Sequence, residues 1–342
     1  MAARPRRVLF PRVLFPTVVL SSNVTERDYP SSFGCAKVVV VSEVIWKNQR
    51  TLRRPLMLMA FEGLFDAAEA ATESLGWIRD RCETTQLAEI DAESYFNFHT
   101  TRPMVRFDGD AKRVIDWPST KVWAAETDSV RDLILVSGVE PHLRWASFAE
   151  DILEIVRRTG AELAVTVGAM VALVPHTRPF PLTGSAANPE LARRLGLERP
   201  SYQGPTGVVG VIHDRLDRSD VPVMSIRASV PHYVPAPPNP KATRALLRRI
   251  EQTTGVPTEY EQLDGAVTEW QTRVDQAVSS DQESADYVSR LERQVDSNEE
   301  LLPSGDALAS ELEAFLRENT ASPDATGGPD ATGGPDATGG PD

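Results

Sequence analysis

Nine polar residues stand just beyond four apolar runs of the chain, and their types could do chemistry: Glu62 and Asp66, then Glu140, His142 and Arg144, then His176 and Arg178, then His232 and Tyr233. Carboxylates, imidazoles and guanidinium groups gathered at one place can move protons or hold an anionic ligand such as a carboxylate or phosphate. The segment VPHTRP, residues 174–179, carries the idea furthest. Its two prolines stiffen a loop that presents a titratable imidazole, His176, beside an anion-binding fork, Arg178. Each residue also has a purely structural role open to it. His176 can hydrogen-bond backbone, Arg178 can make an internal ion pair, Tyr233 can pack behind the strand exit fixed by Pro231, and Glu140 can sit favourably near a helix N-terminus.

More dedicated motifs are missing. YQGPTGVVGVIHD, residues 202–214, looks like a phosphate loop and places Thr206 to cap a helix beginning near Gly207, yet it lacks the GK[ST] ending. No GxGxxG follows a strand and no GxSxG elbow exists. Ser137, in LVSGVE, has no base assigned to it and is read as a capping serine. The five histidines show neither HExxH nor HxxxH spacing, and the two cysteines, Cys35 and Cys82, are too few for a four-cysteine zinc site. No catalytic residue, no metal and no cofactor is expected.

The elements that must position the nine residues follow from apolar patterning. LMLMAF, residues 56–61, is a continuous apolar run of the kind buried on both faces of a sheet; Asp66 can then cap a helix from Ala67 to about Arg81. DLILVSG, residues 132–138, precedes a helix whose stripe is Trp145, Phe148, Ile152, Ile155 and Val156, ended by Gly160. AELAVTVGAMVAL supplies a third strand, ending near Gly168, and VPVMSIRASV, residues 221–230, a fourth. Between the first two units, MVRFDGDAKRVIDW predicts a hairpin turning at Asp108, Gly109 and Asp110, and KVWAAET an added strand. The expected fold is α/β: a three-layer α/β/α domain with a mostly parallel, mixed central sheet and a C-terminal helical segment. Ligands of such sheets bind beyond the carboxyl ends of the strands, where the nine residues fall.

The expected organisation is an atypical N-terminal extension over residues 1–53, the core domain over 54–240, a helical appendage over 241–318 and a tail over 319–342. In the extension RVLFP occurs twice in succession; Arg12, Pro11 and Pro16 interrupt what would otherwise resemble a secretory signal. The appendage places Trp270, Val274 and Val278 at helical spacing, and Ser304 or Asp306 can cap its last helix. The tail repeats PDATGG and is expected to be disordered, since glycine, proline and small polar residues bury nothing that offsets chain entropy. Across 342 residues, 49 acids against 36 bases give a formal charge of −13, which argues against a phosphate-binding surface and hence against nucleic acid. No uncharged apolar stretch has the length of a membrane span, and a cytoplasmic location is expected.

Six motifs in order, EGLFDA, GVEPHLRW, VPHTRP, GPTGVVGV, VPHYV and LLPSGDALASELEAFLRE, closely resemble the proteasome assembly chaperone 2 family in its actinobacterial branch. The resemblance covers about residues 54–318. It implies a fold similar to the phosphorylase/hydrolase-like fold of nucleoside phosphorylases, a homo-oligomer, and a non-enzymatic chaperone acting through protein surfaces, with proteasome core subunits as candidate partners. The alternative it leaves open is a nucleoside-like or anionic ligand bound at the rim. This chain departs from the family at Leu64 and Phe65, and at Ala68, where family members often carry glycine; it also ends Gly340, Pro341, Asp342 instead of a hydrophobic residue, a tyrosine and one last residue.

Overall fold

The structure is a computed structural model that describes residues 24–29 and 36–300. The expected readings for the RVLFP repeat, the cap at Ser304 or Asp306 and the PDATGG tail lie outside the described residues. By contacts the chain forms two compact units, residues 1–288 and 289–342.

The described residues begin with β1 (Val24–Tyr29) and β2 (Ala36–Val41), an antiparallel pair. Then come β3 (Val44–Trp46), β4 (Leu56–Glu62), α1 (Ala70–Arg79), β5 (Glu83–Ile90), the hairpin β6 (Met104–Phe107) and β7 (Arg113–Asp116), and β8 (Thr120–Glu126). Next follow β9 (Leu133–Val139), α2 (Trp145–Thr159), β10 (Leu163–Ala172), β11 (Leu182–Ser185), α3 (Pro189–Leu195) and α4 (Val208–Asp217). The last are β12 (Val223–Pro231), α5 (Pro240–Thr254), α6 (Asp264–Ser279) and α7 (Gln282–Glu300).

Eight strands make one sheet in the order β11-β12-β10-β4-β9-β8-β5-β3. Its centre, β12-β10-β4-β9, is parallel, and β11, β8, β5 and β3 add antiparallel flanks. The expected mixed three-layer fold is what forms. Strand β4 shows why it does: Leu56, Leu58 and Ala60 pack with α1 and α5 on one face, while Met57, Met59 and Phe61 pack with α2 and α4 on the other. Alternate side chains point to opposite faces, so a strand covered on both sides must be apolar throughout.

Several local expectations shift. The helix after β4 starts at Ala70, preceded by one tight turn over Ala67–Glu69 in which Ala68 and Glu69 adopt left-handed conformations, φ 56° and 55°. Strand β10 runs on to Ala172, because β12 continues to pair with it after Gly168. Ser137 is not a cap; it lies inside β9, paired with Ala60 and Lys121. Next to it Gly138 is required by close approach: a Cβ there would stand 2.2 Å from the Ser119 carbonyl oxygen. Helix α2 and its stop at Gly160, which takes φ 68°, form as expected.

The expected boundary at 240/241 falls within the first turn of α5, after Pro240, and α5 buries Leu246, Leu247 and Ile250 in the core it shares with α1. Trp270 and Val274 are buried in that same core and Val278 packs against it, so this stripe is intramolecular. At the other end, β3 pairs with β5, and the Arg53 guanidinium holds buried Asp132 at 2.7 Å.

Candidate functional site

The nine residues gather at the strand ends in separate groups. The first is built around the loop after β4. Asp66 is buried, and its Oδ1 accepts from the Ala71 N–H at 2.8 Å and the Thr72 N–H at 3.2 Å, while Oδ2 accepts from the Thr72 hydroxyl. It thus satisfies the open end of α1 across the intervening turn. Burial holds the Asp66 carboxyl above the usual range despite these donors. Burial, followed by the nearby charges of Asp66 and Glu69, also raises Glu62. Glu62, Asp66, Ala68 and Glu69 line an open groove of about 280 Å³ whose far wall is Pro235 and Pro237.

Glu140 joins this loop to another element. Its N–H donates to the Glu62 carbonyl, its Oε2 faces the Leu64 N–H at 3.4 Å and its Oε1 faces the Val208 N–H, also at 3.4 Å. Helix α4 begins at Val208 with Gly207 as N-cap and no side-chain cap of its own. Thr206 does not take that role. The Glu140 carboxylate lies against the positive end of α4 instead, a favourable place for an anion. Space for it is kept by Gly63, φ 148°, where a Cβ would come within 2.7 Å of Oε2, and by Gly207, where a Cβ would meet Oε1 at 3.1 Å.

The second group lies beyond β9. The His142 Nδ1 accepts from the Asn97 N–H at 3.2 Å, its N–H donates to the Tyr95 carbonyl, and its ring meets Phe96 edge-on. Arg144 pairs with Glu43 at 3.3 Å and leans over the Tyr95 ring. Beneath them the Tyr95 hydroxyl donates to the Asp151 carboxylate in the core. Burial pushes Asp151 up to about 6, with the Tyr95 hydrogen bond opposing, and it also raises the Tyr95 hydroxyl.

The third group closes over the ends of β10 and β12. His176 is buried; its Nε2 meets the Asp275 Oδ1 of α6 at 2.8 Å and its Nδ1 meets the Tyr233 hydroxyl at 2.7 Å. A carboxylate can only accept, so the ring proton sits on Nε2 and Tyr233 donates to Nδ1. The same hydroxyl accepts from the His176 N–H at 2.8 Å. The Lys241 ammonium donates to the His176 carbonyl and stands 5.0 Å over the Phe180 ring. Burial lowers Lys241 to about 8, Asp275 opposes that shift and half-buried Arg178 adds to it. His232 stacks edge-on with Tyr233 and with Tyr287. Asp275, Lys241 and Tyr287 carry no motif, and they meet His176 and His232 only because the later helices fold back over the sheet end.

The strand ends therefore hold three sets of interlocked side chains and one small acidic groove. A larger cleft, about 380 Å³, lies at the opposite end of the sheet and is lined by Arg53, Arg81, Cys82, Glu126 and Glu259 among others. There Arg53 is paired with Asp132, and Arg81 lies 3.8 Å from Glu259. Among the described residues no three His, Cys, Asp or Glu side chains are grouped to hold a metal ion.

A parallel-centred sheet of this order, with helices on both faces and loops locked together at its carboxyl end, defines a three-layer α/β domain. The PAC2 family pattern matches residues 60–278, and the chain belongs to that family. It is 41% identical to a PAC2 family protein from Streptomyces avermitilis, over 68% of this chain and 99% of that one, with a TM-score of 0.65. It is 35% identical to a proteasome-assembly chaperone homologue of Mycobacterium tuberculosis, over 68% and 99%, with a TM-score of 0.63. An archaeal proteasome activator of Pyrococcus furiosus, 13% identical over 68% and 97%, shares the fold at a TM-score of 0.55. No curated protein matches the chain.

Proposed function

We propose that this PAC2 family protein is a non-enzymatic assembly chaperone that works through protein surfaces, as a homo-oligomer in the cytoplasm, with proteasome core subunits as partners. The observation that carries this reading is how the strand-end polar groups are used. Asp66, Glu140, His142 and His176 are each engaged by backbone or neighbouring side chains, whereas Leu64, Met170, Val171 and Leu173 at the same end are exposed. Apolar side chains left in solvent beside locked polar ones suit a protein-binding surface better than a reaction centre. Among the described residues no helix is long and apolar enough to cross a membrane. The Mycobacterium homologue, described as related to proteasome-assembly chaperones, supports the choice of partner.

A small-molecule site at the rim has less support. The groove there is small, and its walls carry Glu62, Asp66 and Glu69, which repel anionic ligands. The test of the chaperone reading is capture of actinobacterial proteasome core-particle subunits by the purified full chain, followed by maturation of the particle in its presence. Enrichment of unassembled subunits and faster maturation are expected; no enrichment and unchanged maturation would overturn the reading.

A further inference from the structure

A polar patch interrupts the α2–α4 face of the sheet. Along β12, Met224, Ile226 and Ala228 pack with α1 and α5, whereas Val223 packs with α2 and α4. Side chains alternate, so Ser225 and Arg227 share the side of Val223. The register carries that side to both neighbours: Thr166 of β10 and Ser185 of β11 flank Ser225, while Gly168 and Thr183 flank Arg227. Helix α4 adds His213, whose Nε2 meets the Thr166 hydroxyl at 2.8 Å. A sheet face under a helix is expected to be apolar, as Ala164 and Val223 are two residues earlier on the same strands.

The hydrogen-bonding inventory of this patch is one-sided. Arg227 is half-buried, and among the described residues its guanidinium makes no hydrogen bond or ion pair. Ser225 is buried, and its hydroxyl meets that of half-buried Ser185 at 2.8 Å. Two hydroxyls carry two hydrogens and their mutual bond uses one; the other has no acceptor among the described residues. No carboxylate answers these donors. Glu198, in register beyond Ser185, is exposed and makes no ion pair with Arg227. Arg227 lies across β10, where a Cβ on Gly168 would stand 3.5 Å from its Cγ. Burial and then the Arg227 charge hold His213 down at about 4, so the neighbouring imidazole is neutral and supplies no counter-charge.

A partly desolvated guanidinium without a partner is costly, and hydroxyls that can still donate do nothing to neutralise it. Unused donors around an unbalanced positive charge suit a ligand that is anionic and only accepts. A carboxylate has two oxygens and spends both on the guanidinium fork. A phosphate group fills the fork and keeps further oxygens for the serine hydroxyl.

We propose that the α4 side of β12 is a binding site for a phosphate group, as the free ion or a small monoester, held by the Arg227 fork and the Ser185–Ser225 hydroxyl pair. The site uses none of the nine strand-end residues and is separate from the protein-binding surface proposed above.

The test is isothermal titration calorimetry on the full chain at fixed pH and ionic strength, with inorganic phosphate, glycerol phosphate and acetate as separate titrants. Saturable binding of one phosphate per chain is expected, with a dissociation constant of about 1 mM or tighter, a modest demand on so small a ligand. Arg227→Gln should weaken it by about 30-fold or more, Arg227→Lys, which keeps the charge and loses the fork, by about tenfold, and Ser185→Ala by about fivefold. Since Arg227→Gln removes an unpaired charge, its urea midpoint should be no lower than that of wild type. In heteronuclear NMR the His213 imidazole signals should move with the same half-saturation as the calorimetric titration, and stay still in Arg227→Gln. Tighter binding of glycerol phosphate than of inorganic phosphate supports the site as one for a monoester, and equal or weaker binding supports it as one for the free ion. Absence of saturable phosphate binding overturns the proposal. So does binding that both Arg227→Gln and Ser185→Ala leave unchanged, or acetate binding as tight as that of phosphate.

Discussion

Replacing Glu140 isolates the contact that ties the first strand's loop to a distant helix. Its carboxylate is the side-chain acceptor at the start of α4, and it adds a second contact to the Leu64 N–H. A half-buried anion at a helix N-terminus is worth about 1 kcal/mol, and two hydrogen bonds at the long end of the range about 0.5 kcal/mol each. Glu140→Ala should therefore cost about 2 kcal/mol, and Glu140→Gln, which loses the charge and keeps only one of the two accepting oxygens, about 1.5 kcal/mol. With a urea slope of roughly 2–3 kcal/mol/M, the midpoint falls by about 0.7–1 M for alanine and about 0.5–0.75 M for glutamine. Gly63 supplies the cross-check. A methyl group there would meet Oε2 at 2.7 Å and sit at φ 148°, so Gly63→Ala combines a clash with backbone strain. Removing Glu140 relieves the clash and leaves the strain, so Gly63→Ala should cost about 1 kcal/mol less in the Glu140→Ala background. A Glu140→Gln variant as stable as wild type would refute the charge argument; a double-mutant coupling near zero would refute the packing argument.

Three further outcomes are expected. His213, which meets the Thr166 hydroxyl at 2.8 Å, is lowered to about 4 by burial, so its neutral form contributes stability above its unfolded value of about 6.5 that is lost as pH falls from there towards 4. Asp151, raised to about 6, runs the other way: its charged form is disfavoured in the fold, and stability returns as pH falls from about 6 towards 4. Urea midpoints measured from pH 7 to 4 should thus show Asp151→Asn losing stability relative to wild type as pH falls, and a slope of the opposite sign would contradict the burial of this pair. Tyr233→Phe leaves the His176 N–H and Nδ1 without their shared partner and should cost about 2–3 kcal/mol, with the Nε2–H signal in proton NMR exchanging faster. Trp270→Ala, which removes a buried ring set edge-on to Phe180, should cost about 3–5 kcal/mol by thermal or urea unfolding.

The parallel centre of the sheet is plain in the sequence because burial on both faces leaves strands such as β4 and β9 almost no polar positions. Strand β5 escapes notice for the converse reason. ETTQLAEI is half-polar, and an irregularity between Gln86 and Ala88 breaks its alternation. The site is legible only locally. Glu140 reads correctly as a carboxylate suited to a helix N-terminus, but the nearest helix in sequence is α2, whereas the one it meets is α4, reached only when the chain has crossed the sheet again. His176 reads as a residue that must be satisfied, yet its acceptor, Asp275, lies on a helix near the end of the described chain. Ala68 marks a departure from the family's frequent glycine, and its φ of 56° gives the physical reason glycine suits that position. Spacing can place residues at one end of a sheet; it carries no information on how later helices divide them.

The strand order has a consequence during synthesis. The first central strand to leave the ribosome is β4, and Leu56 finds its two neighbours in Leu133 and Leu163. At about 5–20 residues per second, LMLMAF waits several seconds for its first partner and longer for its second. Throughout that interval the most apolar hexamer of the core has neither sheet nor helix over it apart from what α1 can cover, and its pairing depends on loop closures that fold slowly. The nascent chain is thus itself a client for holding factors, and substitutions that weaken β9 or β10 should reduce soluble yield before they reduce the stability of the finished protein.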